Sequence, residues 1–431
     1  MDRIREVFTC EDPVLFRQQL LQWISAFDVY AVLDSCGNDV YGPPAFDMLC
    51  GAGMASAISL EAGDAFQALE SFAATGDWLF GHLNYDLKNE TESLSSSHPD
   101  SIGFPDLFFF RPTILIRLQG HEISIESLTA SPKQIMDTIV CLEPLSSYQP
   151  GAMQMHPVMP RSAYLNKVEA IRRHIINGDV YELNFCQEFL GKNARLEPVK
   201  VFDALCAADK APMSVLHRNG DRYLISASPE RFLMKQGNRL LSMPIKGTIR
   251  RGAGADDEEL KEQLRQSIKD RAENVMITDL VRNDLTRFAK TGSIRVDELF
   301  GVYPFARVFQ MISTISAELQ DDAVPVKTIR QAFPMGSMTG APKVKAMELI
   351  DRYEVSRRGL YSGAFGYFTP DADFDFNVVI RSVLYNQRSG VVSVQAGGAI
   401  VYDSDPVQEY EECLLKASSL FDVLRAELIQ Q

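Results

Sequence analysis

The sequence lacks three features: an apolar run of membrane-spanning length, an excess of positive charge, and cysteines in close pairs. It has no stretch of 18 or more apolar residues, so no membrane-spanning helix is predicted. Acidic residues outnumber basic ones by 57 to 43, and the formal net charge of -14 argues against nucleic acid as the main partner. The seven cysteines are scattered and odd in number, which is typical of reduced thiols and not of a disulfide framework or a zinc site.

The amino terminus also lacks an apolar segment of signal-peptide length, so we expect a cytoplasmic protein. The 431 residues, 46% of them hydrophobic, can bury a large core in one big domain or in two to three smaller ones. An acidic protein can still bind an anionic small molecule, because a bound cation or an arginine reverses the field inside a cleft.

The residue pattern predicts an α+β fold in which hairpin-like strands are mixed with blocks of helix. Residues 101–118 form a strand-like run that continues into HEISIESL, residues 121–128, where apolar and polar residues alternate as in a strand. Proline-rich residues 143–161 predict a linker between an N-terminal α+β region, 1–142, and a C-terminal region, 162–431. Apolar residues at helical spacing predict helices over 12–27, 257–289 and 325–352, and a last helix from Pro406. A further predicted helix carries the apolar residues from Tyr164 to Ile175 on one face and closes at Gly178.

Two carboxylates near the start of the last helix are candidate ligands for a hard cation. Asp405 and Pro406 predict the first turn of this helix. Glu409 and Glu412 are three residues apart and therefore share one face, and Mg²⁺ prefers such oxygen ligands. The alternative is an exposed acidic face on which Glu412 pairs with Lys416, and this helix alone leaves both interpretations open.

Three further positions have a chemical interpretation and a structural one. Glu273 lies beside apolar residues 275–277, so it is either a partly buried acid that needs a cation or a helix-surface glutamate. An apolar setting would favour the neutral, nucleophilic amine of Lys246, whereas a nearby carboxylate would keep it an ammonium. Gly397 and Gly398 either let the backbone approach an anion closely or form a strand-end bulge.

Several strings occur in one order that resembles the chorismate-binding enzyme family: SASPERF, PIKGTIRRG, DRAENVMITDLVRNDL, GSMTGAPKVKAMELI, RRGLYSGAFGYF, VVIRS and AGGAIVYDSDPVQEYEE. The resemblance covers roughly residues 160–425 and is weaker over residues 1–142. It implies two antiparallel β-sheets packed face to face, with helices around them. It also implies a buried site that binds chorismate and Mg²⁺.

The resemblance implies a role at each matching position. Glu273, Glu409 and Glu412 would bind Mg²⁺, which holds the ring carboxylate of chorismate. Glu230 matches the general acid that helps the carbon-4 hydroxyl to leave, and Lys246 matches a nucleophile. The positions that match substrate-binding residues are Tyr361 and Arg381, which would grip the enolpyruvyl carboxylate, together with Gly397, Gly398, Thr248 and Ser337.

Lys246 distinguishes two branches of this family. Members that form anthranilate usually read PIAGT at this string, whereas members that form 4-amino-4-deoxychorismate typically read PIKGT, as here. The resemblance implies that Lys246 adds to carbon 2, after which ammonia attacks carbon 4 and expels the lysine. Isochorismate and salicylate members use water and have different motifs. A non-catalytic homologue would have lost the metal-binding acids, which this chain retains.

Ammonia is expected from a separate glutamine amidotransferase subunit, because Cys186 in NFCQEF lacks the glycine-flanked elbow of such a nucleophile.

Two positions depart from the family's pattern. Gln310 replaces a usual histidine and cannot act as an acid near neutral pH. Ala399 replaces a glycine and requires a backbone without positive φ. The string at residues 32–35 leaves open whether the N-terminal region binds a tryptophan-like ligand.

Overall fold

The computed structural model describes residues 3–42, 45–149, 151–252 and 256–429 of the chain. Residue 150 of the predicted linker lies outside these ranges. The fold is α+β, as predicted, with helices placed between runs of one to several strands in the described part of the chain. Within the described ranges, no helix is both long enough and apolar enough to cross a membrane.

The helices are α1 (Pro13–Ile24), α2 (Ala65–Ala73), α3 (Lys88–Thr91), α4 (Pro132–Val140), α5 (Arg161–Ile176), α6 (Pro198–Asp209), α7 (Asp256–Gln266), α8 (Ile268–Leu285), α9 (Pro325–Ala332), α10 (Lys343–Tyr353) and α11 (Pro406–Leu424). Two short 3₁₀ turns lie at Tyr85–Leu87 and Gly336–Met338.

The strands are β1 (Ile4–Thr9), β2 (Val29–Asp34), β3 (Met48–Leu60), β4 (Leu79–Leu83), β5 (Leu107–Gln119), β6 (Glu122–Ser127), β7 (Met153–Pro157), β8 (Glu182–Gly191), β9 (Met213–Asn219), β10 (Arg222–Ser228), β11 (Arg231–Gln236), β12 (Arg239–Met243), β13 (Ile245–Arg250), β14 (Arg295–Pro304), β15 (Val308–Glu318), β16 (Gly340–Ala341), β17 (Ala364–Phe368), β18 (Phe374–Val378), β19 (Ser382–Asn386), β20 (Val391–Ile400) and β21 (Ala426–Leu428).

The described strands pair antiparallel apart from β7 and β21, which run parallel. Shared pairings join them into one continuous hydrogen-bonded network. Strands from before and after residues 143–161 pair directly, since β2 lies beside β9 and β4 lies beside β17. The two halves of the chain therefore contribute to the same network.

Two large hydrophobic cores lie on either side of β2. Successive side chains of a strand point to opposite faces. Accordingly, Ala31 and Leu33 enter one core, and Tyr30 and Val32 enter the other. The first core combines N-terminal and C-terminal strands, and it contains Phe109 of β5 with other apolar side chains from β17 and β18.

Two of the predicted helices begin at a residue that caps their first turn. Asp12 accepts hydrogen bonds from the backbone N–H groups of the first turn of α1, and Asp405 does the same for α11. Strand β8 was not predicted, because its almost fully buried run contains polar residues and does not alternate. It pairs with β20 over nine residues, while α11 packs on β20 and α8 packs on β13. These five elements surround the candidate site.

Candidate active site

Lys246 forms a buried ion pair with Glu182. Its Nζ donates a hydrogen bond of 2.6 Å to Glu182 Oε1, and the two residues are only 8% and 4% exposed. Burial lowers the pKa of the Lys246 ammonium, but the Glu182, Glu273 and Glu412 carboxylates outweigh it and raise that pKa above its ordinary value. The expectation of an apolar setting that favours the neutral amine is therefore wrong, and the alternative of a paired ammonium is confirmed.

Glu230 lies in the short connection between β10 and β11 and is buried. Burial raises the pKa of its carboxyl to about 7, although Ser337 and the Lys246 ammonium act in the opposite direction. A carboxyl with this pKa carries a proton in a large fraction of molecules at neutral pH. Such a group can donate a proton to a leaving hydroxyl.

Glu409 and Glu412 face β20 from the first turns of α11. Glu409 is buried, and its Oε1 accepts a hydrogen bond of 2.7 Å from Ser404 Oγ. Glu412 is half-buried, and its Oε1 lies 2.6 Å from Lys416 Nζ, so the predicted i,i+4 ion pair forms. Burial raises the pKa of Glu409, whereas Lys416 lowers that of Glu412. The two acids thus share a face, as expected, but have different surroundings.

Glu273 points inward from α8 with a side chain that is 14% exposed, so of its two interpretations the partly buried acid is confirmed over the helix-surface glutamate. Burial raises the pKa of its carboxyl to about 7. Its nearest ammonium belongs to Lys269, at 3.9 Å. Burial lowers the pKa of Lys269, and the carboxylates of Glu273, Glu409 and Glu412 together raise it. All three predicted metal-binding acids therefore lie around one ammonium.

The surroundings of these acids fit a cation, although the acids do not converge tightly. Within the described ranges, Glu273 Oε1 and Glu409 Oε2 are buried without a hydrogen-bond partner. A Cβ at Gly398 would lie 3.2 Å from oxygens of both Glu409 and Glu412. Among described residues, the trio of acidic, Cys or His ligands within 4.8 Å of one another lies elsewhere, at Asp34, Cys36 and Cys206. Binding one ion would therefore require the glutamates to move closer.

Arg381 and Tyr361 come together next to α11. Arg381 has a positive φ of 50° and donates a hydrogen bond of 2.7 Å to the carbonyl of Lys416. Burial lowers the pKa of the Arg381 guanidinium, while Asp209, Tyr361 and Glu412 raise it. Tyr361 is buried. A guanidinium and a phenol near the acids can together hold a carboxylate.

The two glycines of the predicted cradle lie inside β20, opposite Cys186 and Phe185 of β8, without a register shift. They do not form the strand-end bulge that was the alternative. Ala399 is extended and pairs with Asn184, so its methyl is tolerated as required. Strand β20 also pairs with β19, but that pairing ends at Val394, before the two glycines.

The remaining predicted positions differ in their surroundings. Ser337 is buried beside Glu230. Thr248 is exposed on β13, where it pairs with Gln310. The Gln310 side chain is buried, and within the described part of the chain its Oε1 has no hydrogen-bond partner. The structure therefore groups the predicted site residues around Lys246 and α11, apart from the exposed Thr248.

Alanine at the two glycines should have different effects on stability. A Cβ at Gly397 would overlap the backbone carbonyl of Phe185, so Gly397→Ala should destabilise the fold by roughly 1–3 kcal/mol. A Cβ at Gly398 meets only the flexible ends of two glutamates, so Gly398→Ala should change stability by less than about 0.5 kcal/mol. Urea unfolding measures the free energy of unfolding of both variants, and equal losses of stability would contradict this difference between the two glycines.

Glu182 is the site residue that the sequence did not single out. It is the first residue of β8, and its Oε2 is buried without a hydrogen-bond partner among the described residues. The available signal was an acid between hydrophobic residues in the string VYELNF. That signal could not name the partner, because Lys246 lies 64 residues further along the chain.

Comparison with known proteins identifies sequence relatives. The family model described as chorismate binding enzyme matches residues 44–422. Aminodeoxychorismate synthase of Streptomyces griseus is 37% identical over 370 residues, which cover 82% of this chain and 50% of that protein. Aminodeoxychorismate synthase component 1 of Klebsiella aerogenes is 34% identical, with 80% of this chain and 77% of that protein covered. Other relatives are named anthranilate synthase component 1.

The chain spans about half the length of the Streptomyces protein. Among solved structures, anthranilate synthase component I of Streptococcus pneumoniae superimposes with a TM-score of 0.78 at 23% identity. The match covers 91% of this chain and 92% of that one. This similarity confirms the predicted fold class.

Proposed function

Because the chain belongs to the chorismate-binding enzyme family, we propose that it is a component I of aminodeoxychorismate synthase. It would convert chorismate and ammonia to 4-amino-4-deoxychorismate, the precursor of 4-aminobenzoate and folate. The reaction is an amino-group transfer. A separate glutamine amidotransferase would supply the ammonia.

One arrangement favours this reaction over the others in the family: a buried lysine in the string PIKGT that lies among acids. Lys246 is 8% exposed and Glu230, with a pKa of about 7, lies near enough to feel its charge. The proposed nucleophile and the proposed proton donor are therefore close together in a buried site. The relatives named anthranilate synthase share the fold, so the fold alone does not distinguish the two activities. The proposal therefore depends on Lys246.

In the proposed first step, the Lys246 amine attacks carbon 2 of chorismate. The ring double bonds shift, the bond from carbon 4 to its hydroxyl breaks, and Glu230 gives its proton to the departing oxygen to form water. Arg381 and Tyr361 hold the enolpyruvyl carboxylate during this step, because a guanidinium binds a carboxylate with two parallel hydrogen bonds.

In the second step, ammonia attacks carbon 4. The double bonds shift back, the bond between Lys246 and carbon 2 breaks, and Glu230 recovers a proton from the new amino group. Chorismate and ammonia are thus converted to the 4-amino product and water, and the enzyme's residues return to their starting state. Without a lysine at this position, ammonia itself would add at carbon 2, toward anthranilate.

Glu273, Glu409 and Glu412 would hold the proposed Mg²⁺, and Gly398 leaves space beside the last two. The bound ion would compensate the negative charge of the ring carboxylate. The partnerless oxygens Glu273 Oε1 and Glu409 Oε2, noted within the described ranges, support this assignment. Thr248 and Ser337 stay proposed substrate-binding positions, with Ser337 better placed because it lies beside Glu230.

The proposed function is tested by the nitrogen source that the 431-residue chain accepts. Incubated with chorismate, Mg²⁺ and an ammonium salt, it should form a product with the mass and absorbance of 4-amino-4-deoxychorismate. Glutamine in place of ammonium should give no product, because Cys186 lies buried in the middle of β8 and cannot serve as an amidotransferase nucleophile. Anthranilate as the main product would refute the assignment, and turnover of glutamine would refute the separate ammonia source.

A further inference from the structure

The ion pair between Glu182 and Lys246 raises a question that the proposed reaction leaves open: which group removes the proton from the lysine. Lys246 Nζ donates to Glu182 Oε1 at 2.6 Å, and the pair spans β8 and β13. Both side chains are buried, so bulk water has little access to either. An ammonium cannot act as a nucleophile, because its nitrogen has no free electron pair.

The other acids near Lys246 have different tasks. Glu273 on α8 and Glu412 on α11 lie near the lysine, but in the proposed function both are reserved for the cation. Glu230 must hold a proton in order to give it to the leaving hydroxyl. Gln310 replaces the family's usual histidine and cannot accept a proton near neutral pH.

Glu182 is then the remaining base, and its geometry suits the task. It already shares a hydrogen bond with the nitrogen that must lose its proton, so the transfer needs no movement of either side chain. Its Oε2 has no hydrogen-bond partner within the described part of the chain. Among the described residues, the carboxylate therefore keeps one oxygen free of any donor, and its only donor is the lysine whose proton it would accept.

We propose that Glu182 is the proton acceptor that converts Lys246 from an ammonium to the reactive amine, an inference that rests on the proposed function. In the first step, a proton passes from Lys246 Nζ to Glu182, and the freed electron pair forms the bond to carbon 2. In the second step, the lysine leaves carbon 2 as an amine and takes the proton back from Glu182. The net reaction is unchanged, and no other reactant is needed.

The test measures formation of the covalent Lys246 adduct with chorismate and Mg²⁺ but no ammonia. Rapid quenching and intact-protein mass spectrometry follow the adduct from about pH 6 to about pH 9. Glu182→Gln keeps the shape and a hydrogen-bond acceptor but cannot take the proton. At neutral pH it should form the adduct on the order of a hundredfold more slowly, and the rate should rise steeply with pH as solvent removes the proton.

Two further variants make the result specific. Glu182→Asp keeps a carboxylate and should restore part of the rate at neutral pH. Glu188→Gln alters another buried glutamate of β8, one that accepts a hydrogen bond from Ser393, and should leave the pH profile unchanged. Circular dichroism checks the fold of each variant, and Glu182→Asp provides the test if Glu182→Gln does not fold.

The outcomes separate this inference from the function on which it rests. A Glu182→Gln variant with the normal rate, or with a slower rate and an unchanged pH profile, would leave Glu182 a structural partner only and overturn the inference. If Glu182→Gln does not fold, Glu182→Asp decides the outcome. The inference is then overturned if Glu182→Asp forms the adduct as fast as the unmodified protein and with the same pH profile. If the unmodified protein forms no adduct while still making the 4-amino product, the covalent route itself fails, and the inference falls with it.

Discussion

Lys246→Ala should slow formation of 4-amino-4-deoxychorismate by on the order of a hundredfold or more, the scale expected when a covalent route is removed. Some activity should persist, because in the proposed function Arg381 and Glu230 would still bind and activate chorismate. The alanine also leaves space at carbon 2. Ammonia can enter that space, so a trace of the 2-amino product should appear.

The loss of a buried ammonium must be separated from the loss of a nucleophile. Lys88 offers a matched control, because it is 2% exposed and is held by hydrogen bonds to Asn89 and Ser96 outside the candidate site. Lys88→Ala should alter stability but not the product. Removing Lys246 also leaves Glu182 buried without its partner, which should destabilise the fold by a few kcal/mol.

Product analysis and intact-protein mass spectrometry together decide the outcome. The unmodified protein, given chorismate and Mg²⁺ without ammonia, should carry an adduct that is missing from Lys246→Ala. A variant that makes the 4-amino product at the normal rate would identify Lys246 as structural. Chemistry of the anthranilate type would then become the leading interpretation of the site.

Glu409→Gln and Glu412→Gln should each reduce turnover of chorismate by more than about a hundredfold. Groups that only support metal ligands already contribute factors of 10–100, and a ligand itself contributes at least as much. The amide keeps the size of each side chain but removes the charge that the cation requires. Glu411→Gln is the matched control, since Glu411 is an exposed neighbour on the same helix and should be dispensable.

The stability of the metal-free protein gives a second readout. Burial raises the pKa of folded Glu409 above that of the unfolded chain, so its ionised form destabilises the fold at neutral pH. Glu409→Gln should therefore unfold at the same temperature as the unmodified protein or higher. Mg²⁺ should raise the unfolding temperature of the unmodified protein and of Glu411→Gln, but not of Glu409→Gln. Full turnover by Glu409→Gln and Glu412→Gln at limiting Mg²⁺ would remove these acids from the metal site.

Much of this protein could be predicted from its sequence where the relevant interaction is local. The capped start of α11 depends on Asp405 and Pro406, and the shared face of Glu409 and Glu412 follows from helical geometry within one turn. The ordered strings predicted the family, and the pattern of hairpin-like strands and helix blocks predicted the α+β fold; both predictions are confirmed. The roles of Lys246 and Glu230 stay predictions, and the buried positions of both residues in one site favour these roles.

Only the tertiary structure decided the electrostatics of the site, because charges act through space and the sequence does not contain those distances. The apolar neighbours of Lys246 along the chain predicted a neutral amine, yet Glu182 arrives from β8, a strand that was not predicted, and keeps it an ammonium. In the same way, the sequence allowed Gly398 to form either a bulge or an anion-binding cradle, and only the structure places the carboxylates of Glu409 and Glu412 beside it. Local patterns determined which residues this protein has for its chemistry, and long-range packing determined which of them meet.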